Sequence, residues 1–377
     1  MKVGTTTLTN GTRALDSERA ESIVRQVVEA RARGIEVVLI TSGAIGVGVG
    51  RLDLPRRPTT IGSLQAAASV GQNILMHAYE TLFRGFDTPV GQVLVTAGDL
   101  ADRKRYVNFG NALNALFEHG VVPVVNENDS VSVDEIRVGD NDTLAAHVAN
   151  AIEADLLILL TDTDGVYTAD PHAVADAARI PFVEGVTPEM LDIAAERPPR
   201  HASADLGTGR LATKVRAAEI VTASGIPMAL ANGAREGVVG EILDGVDIGT
   251  FFAPTAPRAA SRKRWIAHTL SPKGAIVADA GAFRAVRHGG KSLLPAGIKD
   301  VVGTFAFGDA VRCVTEDGAE FARGLVNYGA DEIARIQGRR TDAIRHVLGY
   351  HYADEVIHRD NLVLVENGAC VRDAPQD

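Results

Sequence analysis

Cysteine is scarce: Cys313 and Cys370 are the only two in 377 residues. Neither stands in a metal-ligand spacing, and one pair in so long a chain makes no disulfide framework. Long apolar runs are missing too. No stretch of about 18 apolar residues occurs, so no transmembrane helix is expected. The first residues carry no basic segment followed by an apolar core and a cleavage site, so secretion is not expected and the cytoplasm is the default compartment. His346, His351 and His358 lie near Tyr350 and Tyr352, but their spacing fits no ligand pattern, and packing in a β-rich core is the expectation. Tryptophan occurs once, and Trp265 is expected to anchor an interdomain surface or a second core.

Positive charge is also in deficit, with a formal net charge of −10. Residues 1–261 carry 22 Lys and Arg against 33 Asp and Glu, whereas residues 262–366 carry 15 against 13. A body at −11 does not read as a nucleic-acid binder; the later segment, at +2, is at most a weak one.

What is present is ordinary globular material, 46% hydrophobic and 23% charged, in a chain long enough for two or three domains. Ser17–Arg33 reads as an amphipathic helix, with Ile23, Val27 and Ala30 on one face and Gly34 as its stop. Ile35–Thr41 is a continuous apolar run of the kind that forms a parallel strand covered on both faces. A helix over 60–85, strands at Val90–Thr96 and Val121–Val125, and a helix at Lys104–His119 follow. The helix Leu144–Ile152, the strand Leu156–Thr161, the helix Val215–Ser224 and strands at Ile226–Ala231 and Thr250–Phe252 complete the series. This alternation predicts a three-layer α/β/α sandwich around a mostly parallel open sheet over residues 1–253. Residues 254–261 read as a linker, 262–366 as a compact β-rich domain with one or two short helices, and 367–377 as a tail.

Two polar patches dominate the first domain. The apolar run Val124-Val125 ends in Asn126-Glu127-Asn128-Asp129, and Val138-Gly139-Asp140-Asn141-Asp142 runs straight into an apolar helix. Asn141 or Asp142 can cap that helix. Asn and Asp also serve in plain turns. Two such patches, one after a strand and one before a helix, suit a small polar substrate better.

Four loops should gather at one sheet edge: Gly4–Thr7, Ser42–Ala44, Asn126–Asp129 and Thr161–Asp164. Gly-rich loops offer backbone N–H groups to anions, and Lys2 and Lys214 are cations placed at such loops. Phosphoryl transfer needs positioning and positive charge rather than covalent help. Asp162 is the carboxylate expected to hold both lysines in place.

Two glycine-rich stretches look like nucleotide motifs without the right context. Ala285–Ser292 fits a relaxed phosphate-loop pattern, but Leu293-Leu294-Pro295 follows where a helix should open. In Gly46-Val47-Gly48-Val49-Gly50 the third glycine of the dinucleotide fingerprint is replaced by Arg51, and a backbone passing close to a ligand or another helix explains the run better.

The segments Lys2–Thr5, Thr41–Ile45, Val124–Asp129, Val138–Asp142, Leu159–Asp162 with Gly165–Pro171, and Gly207–Lys214 together resemble the glutamate 5-kinase family. Arg262–Ile266 and Ser292–Ile298 resemble the PUA domain that many bacterial members carry. The resemblance implies an amino-acid-kinase fold that transfers phosphate from ATP to the γ-carboxylate of L-glutamate, with Mg²⁺ bridging the phosphates, in proline biosynthesis. It implies catalytic roles for Lys2, Asp162 and Lys214. Substrate would meet Ser42, Gly43, Asp129, Asp140 and Asn141. ATP would meet Lys2, Gly4, Thr161, Asp162 and the loop Thr208, Gly209, Arg210, Leu211, Ala212, Thr213 and Lys214. It further implies proline as a feedback inhibitor and a homodimer or homotetramer. Relatives have more residues before Lys2, so a three-residue edge is not expected to hold this lysine firmly in a sheet. Two other readings compete: a degenerate kinase scaffold whose second domain binds RNA, and the same fold with another acceptor such as acetylglutamate, aspartate or UMP.

Overall fold

The computed structural model describes residues 1–131, 141–169, 174, 176–188, 190–191, 211–255, 272–366 and 369–370. The chain forms two compact units, Met1–Pro257 and Arg258–Asp377. In the first, the described elements run β1 (Lys2–Val3), α1 (Thr5–Thr9), α2 (Ser17–Ala32), β2 (Leu39–Ile40), α3 (Ala44–Arg51), α4 (Ile61–Arg84), β3 (Val90–Val95), α5 (Ala97–Ala101) and α6 (Arg103–Glu118). They continue with β4 (Val122–Glu127), α7 (Asn141–Ala151), β5 (Leu157–Thr161), β6 (Val166–Tyr167), β7 (Arg179–Ile180), β8 (Phe182–Val183), α8 (Leu211–Ala223), β9 (Met228–Asn232), α9 (Val238–Leu243) and β10 (Thr250–Phe252).

Eight strands form one sheet in the order β3-β4-β2-β1-β5-β9-β10-β8. Every neighbouring pair is parallel except β9–β10. The predicted sandwich is therefore the observed one. β1 is not an edge: Lys2 pairs with Ile40 on one side and with Leu159 on the other. The expectation that so short a strand could not hold Lys2 fails, because two neighbouring strands clamp it. The β2 ladder is shorter than the apolar run predicts. Only Leu39–Ile40 is strand, paired with β4 on one side and with β1 on the other.

Alternation along the strands sorts side chains to two faces. Ile40, Val125, Leu157 and Leu159 pack with Ala145 and Val148 of α7 and with Ala217 and Val221 of α8. Val3, Leu39, Val124, Ile158 and Leu160 pack on the opposite face with Ile23 and Val27 of α2 and with Tyr79 and Phe83 of α4. Each such aliphatic side chain, fully buried, contributes about 1.5–3 kcal/mol. Because Val3 faces α2 and α4, its neighbour Lys2 faces α7 and α8.

Helix α3 is absent from the sequence reading, since five alternating glycines and valines weaken a helical pattern. It forms because its backbone lies directly against α4. A Cβ on Gly48 would sit 1.8 Å from the Ala67 carbonyl oxygen, and one on Gly71 would sit 1.8 Å from that of Ala44. Close passage to another helix is thus the reason for the Gly46–Gly50 run.

The second unit holds β11 (Gly274–Ala278), α10 (Ala280–Arg287), β12 (Ile298–Gly303), β13 (Ala310–Val314), β14 (Glu320–Leu325), α11 (Ala330–Ile336), α12 (Ile344–Leu348), β15 (Leu362–Glu366) and β16 (Ala369–Cys370). Its sheet order is β12-β11-β13-β14-β15-β16, with β11–β13 the parallel pair. Among the described residues three short helices are present, where one or two are predicted. Ala285–Arg287 ends α10 instead of opening a helix, which is the reverse of a phosphate loop. His346 is exposed, and His351 sits on the surface 2.9 Å from Asp354; they do not pack in a core. Trp265 lies outside the described residues.

Candidate active site

The four predicted loops follow β1, β2, β4 and β5, which are adjacent parallel strands. Their C-terminal ends share one edge, where β1 is the point from which the chain builds the sheet outward to both sides. Open parallel sheets bind ligands at such a reversal.

Lys2 projects from β1 toward α7, and α7 begins with Asn141 and Asp142. Lys2 Nζ donates to Asp142 Oδ1 at 2.6 Å. Lys214, in the first turn of α8, donates to Asp142 Oδ2 at 3.1 Å, and Thr213 Oγ1 donates to the same oxygen at 2.7 Å. All three charged side chains are buried, the Asp142 side chain to 2% exposure and each lysine to 8%. Burial alone would raise the Asp142 carboxyl. The Lys2 and Lys214 charges, with the Lys2 and Thr213 hydrogen bonds, outweigh it and hold the group well below the usual carboxylate range.

The carboxylate between the two lysines is therefore Asp142, and the role expected of Asp162 is corrected. Asp162 is exposed and accepts from Thr161 Oγ1 at 3.1 Å. Strand parity explains the difference. Thr161 follows Leu157 and Leu159 on the Lys2 face and is buried, so the next residue turns away from it. Asp142 escapes a sequence reading because a carboxylate at a helix N-terminus passes for a cap.

A second group of polar side chains runs from the start of α7 to α4. Asn141 Nδ2 donates to the Thr41 carbonyl oxygen at 2.8 Å and to Asn126 Oδ1 at 2.9 Å. Asn126 Oδ1 also accepts the Glu127 backbone N–H at 2.9 Å, and Asn126 Nδ2 donates to Gln72 Oε1 at 2.7 Å. Both Asn141 amide hydrogens are thus engaged within the protein, which leaves Oδ1 as the atom it can present to a ligand donor. Ser42 Oγ donates to the Val3 carbonyl oxygen at 2.7 Å and ties the loop after β2 to β1. Gly43 takes φ 95°, a conformation that favours glycine. Asp129 follows β4 and is half-buried.

Gly4 caps β1, its N–H donating to the Leu160 carbonyl oxygen at 3.0 Å. Leu211, Ala212, Thr213 and Lys214 open α8. Asp140, Thr208, Gly209 and Arg210 lie outside the described residues. Gln72 and Asn126 were not singled out individually by sequence. The signal was there only for Asn126, inside its polar patch; a glutamine in an amphipathic helix carries none.

Residues 1–232 match the amino acid kinase family and residues 274–348 match the PUA domain. The chain belongs to the amino acid kinase family. Curated relatives that are 43–49% identical to it over nearly its full length are glutamate 5-kinases. The enzyme of Moorella thermoacetica is 49% identical over 97% of this chain and 95% of its own length. That of Thermoanaerobacter sp. is 46% identical over 98% of each chain, and that of Myxococcus xanthus is 46% identical over 97% of this chain and 95% of its own. The resemblance carried by the motifs thus extends over nearly the whole sequence.

Proposed function

We propose that this chain is an ATP-dependent kinase that phosphorylates the γ-carboxylate of L-glutamate to glutamyl 5-phosphate, the first step of proline biosynthesis. Identity of 49% over 97% of the chain to a glutamate 5-kinase supports the substrate. The single structural observation that carries the chemistry is Asp142 held between Lys2 and Lys214.

The chemical logic is electrostatic. A glutamate γ-carboxylate is already ionised at neutral pH, so the nucleophile needs no general base. The obstacle is repulsion between an anionic acceptor and an anionic phosphate chain. Two ammonium groups against one carboxylate leave one positive charge in a buried setting, where it acts strongly. In this reading Lys2 meets the transferring phosphoryl group and Lys214 the leaving phosphate, while Asp142 fixes both. Thr161 and the start of α8 border the nucleotide. Asn141 Oδ1 and Asp129 receive the substrate ammonium group, and the Ser42-Gly43 turn lies beside its carboxylate. Asp140 and the Thr208–Arg210 loop belong to the same reading on the motifs alone.

Mg²⁺ is part of the proposal as the counter-ion of the phosphates. Among the described residues no group of three His, Cys, Asp or Glu could hold a metal ion; phosphate oxygens and water would supply most of its ligands. When bound, it neutralises phosphate charge. The proposal includes cytoplasmic residence, a homodimer or homotetramer, inhibition by proline near residues 126–142, and RNA as a ligand of the PUA domain. Among the described residues no helix is long and apolar enough to cross a membrane.

The test is coupled ADP release from ATP and Mg²⁺ with a panel of L-glutamate, L-aspartate, acetylglutamate and UMP. Turnover with glutamate in preference to the others is the expected result. Silence with glutamate alongside turnover of another acceptor would replace the substrate. Proline added to the same assay should depress the rate, and a flat curve would remove that part.

A further inference from the structure

The chain of amides from Asn141 to Gln72 has a polarity fixed at both ends. Asn141 must turn its nitrogen to the Thr41 carbonyl oxygen, which can only accept. Asn126 must turn its oxygen to the Glu127 backbone N–H, which can only donate. The Asn126 nitrogen therefore faces Gln72, and Gln72 must answer with its oxygen. Reversing any one amide sets two donors or two acceptors against each other. By elimination the Gln72 side chain turns its –NH₂ away from Asn126. That Nε2 is buried and has no hydrogen-bond partner among the described residues, in a side chain whose residue is 9% exposed. Buried donors are ordinarily satisfied, so one left open in the helix that packs on Ala44 points to an acceptor that arrives with the ligand.

Its place in the fold says which acceptor. Gln72 belongs to the α4 face of the sheet, whereas Lys2, Thr161, Asp142 and Lys214 gather on the α7 and α8 face. The relay starts at Asn141, beside Asp142, and leads through Asn126 away from the lysines. Its neighbour Gly71 lies against the Ala44 carbonyl, which puts Gln72 next to the Ser42-Gly43-Ala44 turn. A substrate whose γ-carboxylate faces the lysines presents its other end here. We propose that Gln72 is a substrate-binding residue whose Nε2 donates to the α-carboxylate of the amino-acid substrate. This deepens the glutamate reading and rests on it. The relay then does two things. It fixes Asn141 as an acceptor for the substrate ammonium group, and it fixes Gln72 as a donor for the adjoining carboxylate, so that the two ends of one zwitterion meet opposite polarities.

Gln72→Glu separates this role from a structural one. The new carboxylate keeps an acceptor for Asn126 Nδ2, but removes the donor and sets a negative charge against the substrate. Gln72→Met removes both functions at similar volume. Binding of L-glutamate is measured by calorimetry and turnover by ADP release. Both variants should raise the glutamate KM about ten- to a hundredfold, the loss of a hydrogen bond to a charged group, with the ATP KM within about twofold. Gln72→Glu places a carboxylate in a buried setting and should lower the thermal midpoint while leaving the ATP KM within about twofold. L-Isoglutamine, which carries an α-carboxamide and an intact γ-carboxylate, should bind wild type more weakly than glutamate, and that preference should shrink by about tenfold or more in Gln72→Met. A Gln72→Glu enzyme with a glutamate KM within about twofold of wild type overturns the proposal, as does an equal loss of ATP and glutamate affinity with a lowered midpoint. A wild type that turns over glutamate beside an indifferent Gln72→Glu removes the Gln72 role alone. A wild type that neither binds nor phosphorylates glutamate removes both readings.

Discussion

Asp142 and Lys2 are 140 residues apart in the chain, yet their side chains meet at 2.6 Å in the interior, with Lys214 completing the set from the other carboxylate oxygen at 3.1 Å. The relationship depends on three independent pieces of backbone. A two-residue strand turns Lys2 toward α7, the first turn of α7 supplies the carboxylate, and the first turn of α8 supplies the second lysine. Removing the carboxylate leaves two buried ammonium groups facing each other.

Asp142→Asn therefore tests the set directly. Asparagine can accept from one lysine with one oxygen, but carries no charge to balance either. We expect kcat to fall about 10²–10³-fold, the scale of losing a preorganised electrostatic element. Stability should fall by about 3–5 kcal/mol, the scale of a broken buried ion pair. Coupled ADP release and urea unfolding measure the two. A kcat within tenfold of wild type would show that the lysines find their places without Asp142.

The same residue makes a prediction in pH. Its carboxyl is held below the ordinary value of about 4 in the folded protein. A depressed carboxyl pKa means that the unfolded chain binds the proton first as pH falls. The stabilisation is thus complete above the unfolded value and is lost as pH drops through the folded one. The stability gap between wild type and Asp142→Asn should be level from about pH 5 to 8 and should narrow below about pH 4. Urea midpoints at stepped pH read it. A gap that narrows upward, toward pH 8, would place its source in some other group.

How much of this was legible beforehand follows from the physics of each feature. The layered parallel sheet was, because continuous apolar runs alternating with amphipathic helices leave few other folds. Lys2 and Lys214 were, because they stand at glycine-rich loops. The partner of the lysines was not. Asp142 and Asp162 are both carboxylates at strand-or-helix boundaries, and only the face on which each projects separates them. Parity in β5 puts Thr161 toward Lys2, and no window of sequence states the register between β5 and β1 that makes this matter. Gln72 was invisible for a related reason. Its meaning comes from Asn126, which lies 54 residues away. Helix α3 was missed because its glycines argue against a helix locally, while their value lies in contact with α4.

That contact supplies a pair of substitutions of opposite sign within one helical pair. A Cβ on Gly71 would meet the Ala44 carbonyl oxygen at 1.8 Å and the Gly48 nitrogen at 2.7 Å, and neither backbone atom can yield cheaply. Gly71→Ala should destabilise by about 3 kcal/mol or more and, by pushing α4 outward, should raise the glutamate KM through Gln72. Gly46, in α3 and also buried, has nothing within 4 Å of an added Cβ. Gly46→Ala should stabilise by about 0.5–1 kcal/mol through helix propensity and leave KM unchanged. Urea unfolding of the two variants in parallel checks the signs, and a tolerated Gly71→Ala would mean the helices separate easily.

Tyr79 is seven residues beyond Gln72 on α4 and gives the contrasting case. It is fully buried, with its hydroxyl 2.9 Å from Thr41 Oγ1. Burial pushes its phenol up to about 12, against a smaller opposing pull from Thr41, so it stays neutral across the working range. Tyr79 touches the same residue that receives Asn141, but through a different atom. Asn141 bonds to the Thr41 backbone carbonyl, and Tyr79 bonds to the Thr41 side chain. Tyr79→Phe should therefore lower stability by about 1–2 kcal/mol, because the Thr41 hydroxyl is left buried without its partner. The glutamate KM should stay within about twofold, because the carbonyl that orients Asn141 is fixed by the β2–β4 ladder instead, where the Thr41 N–H donates to Val125 at 2.9 Å. A glutamate KM raised tenfold in Tyr79→Phe would show that α4 acts on the site as a rigid whole, and that Gln72 and Tyr79 cannot be assigned separate roles.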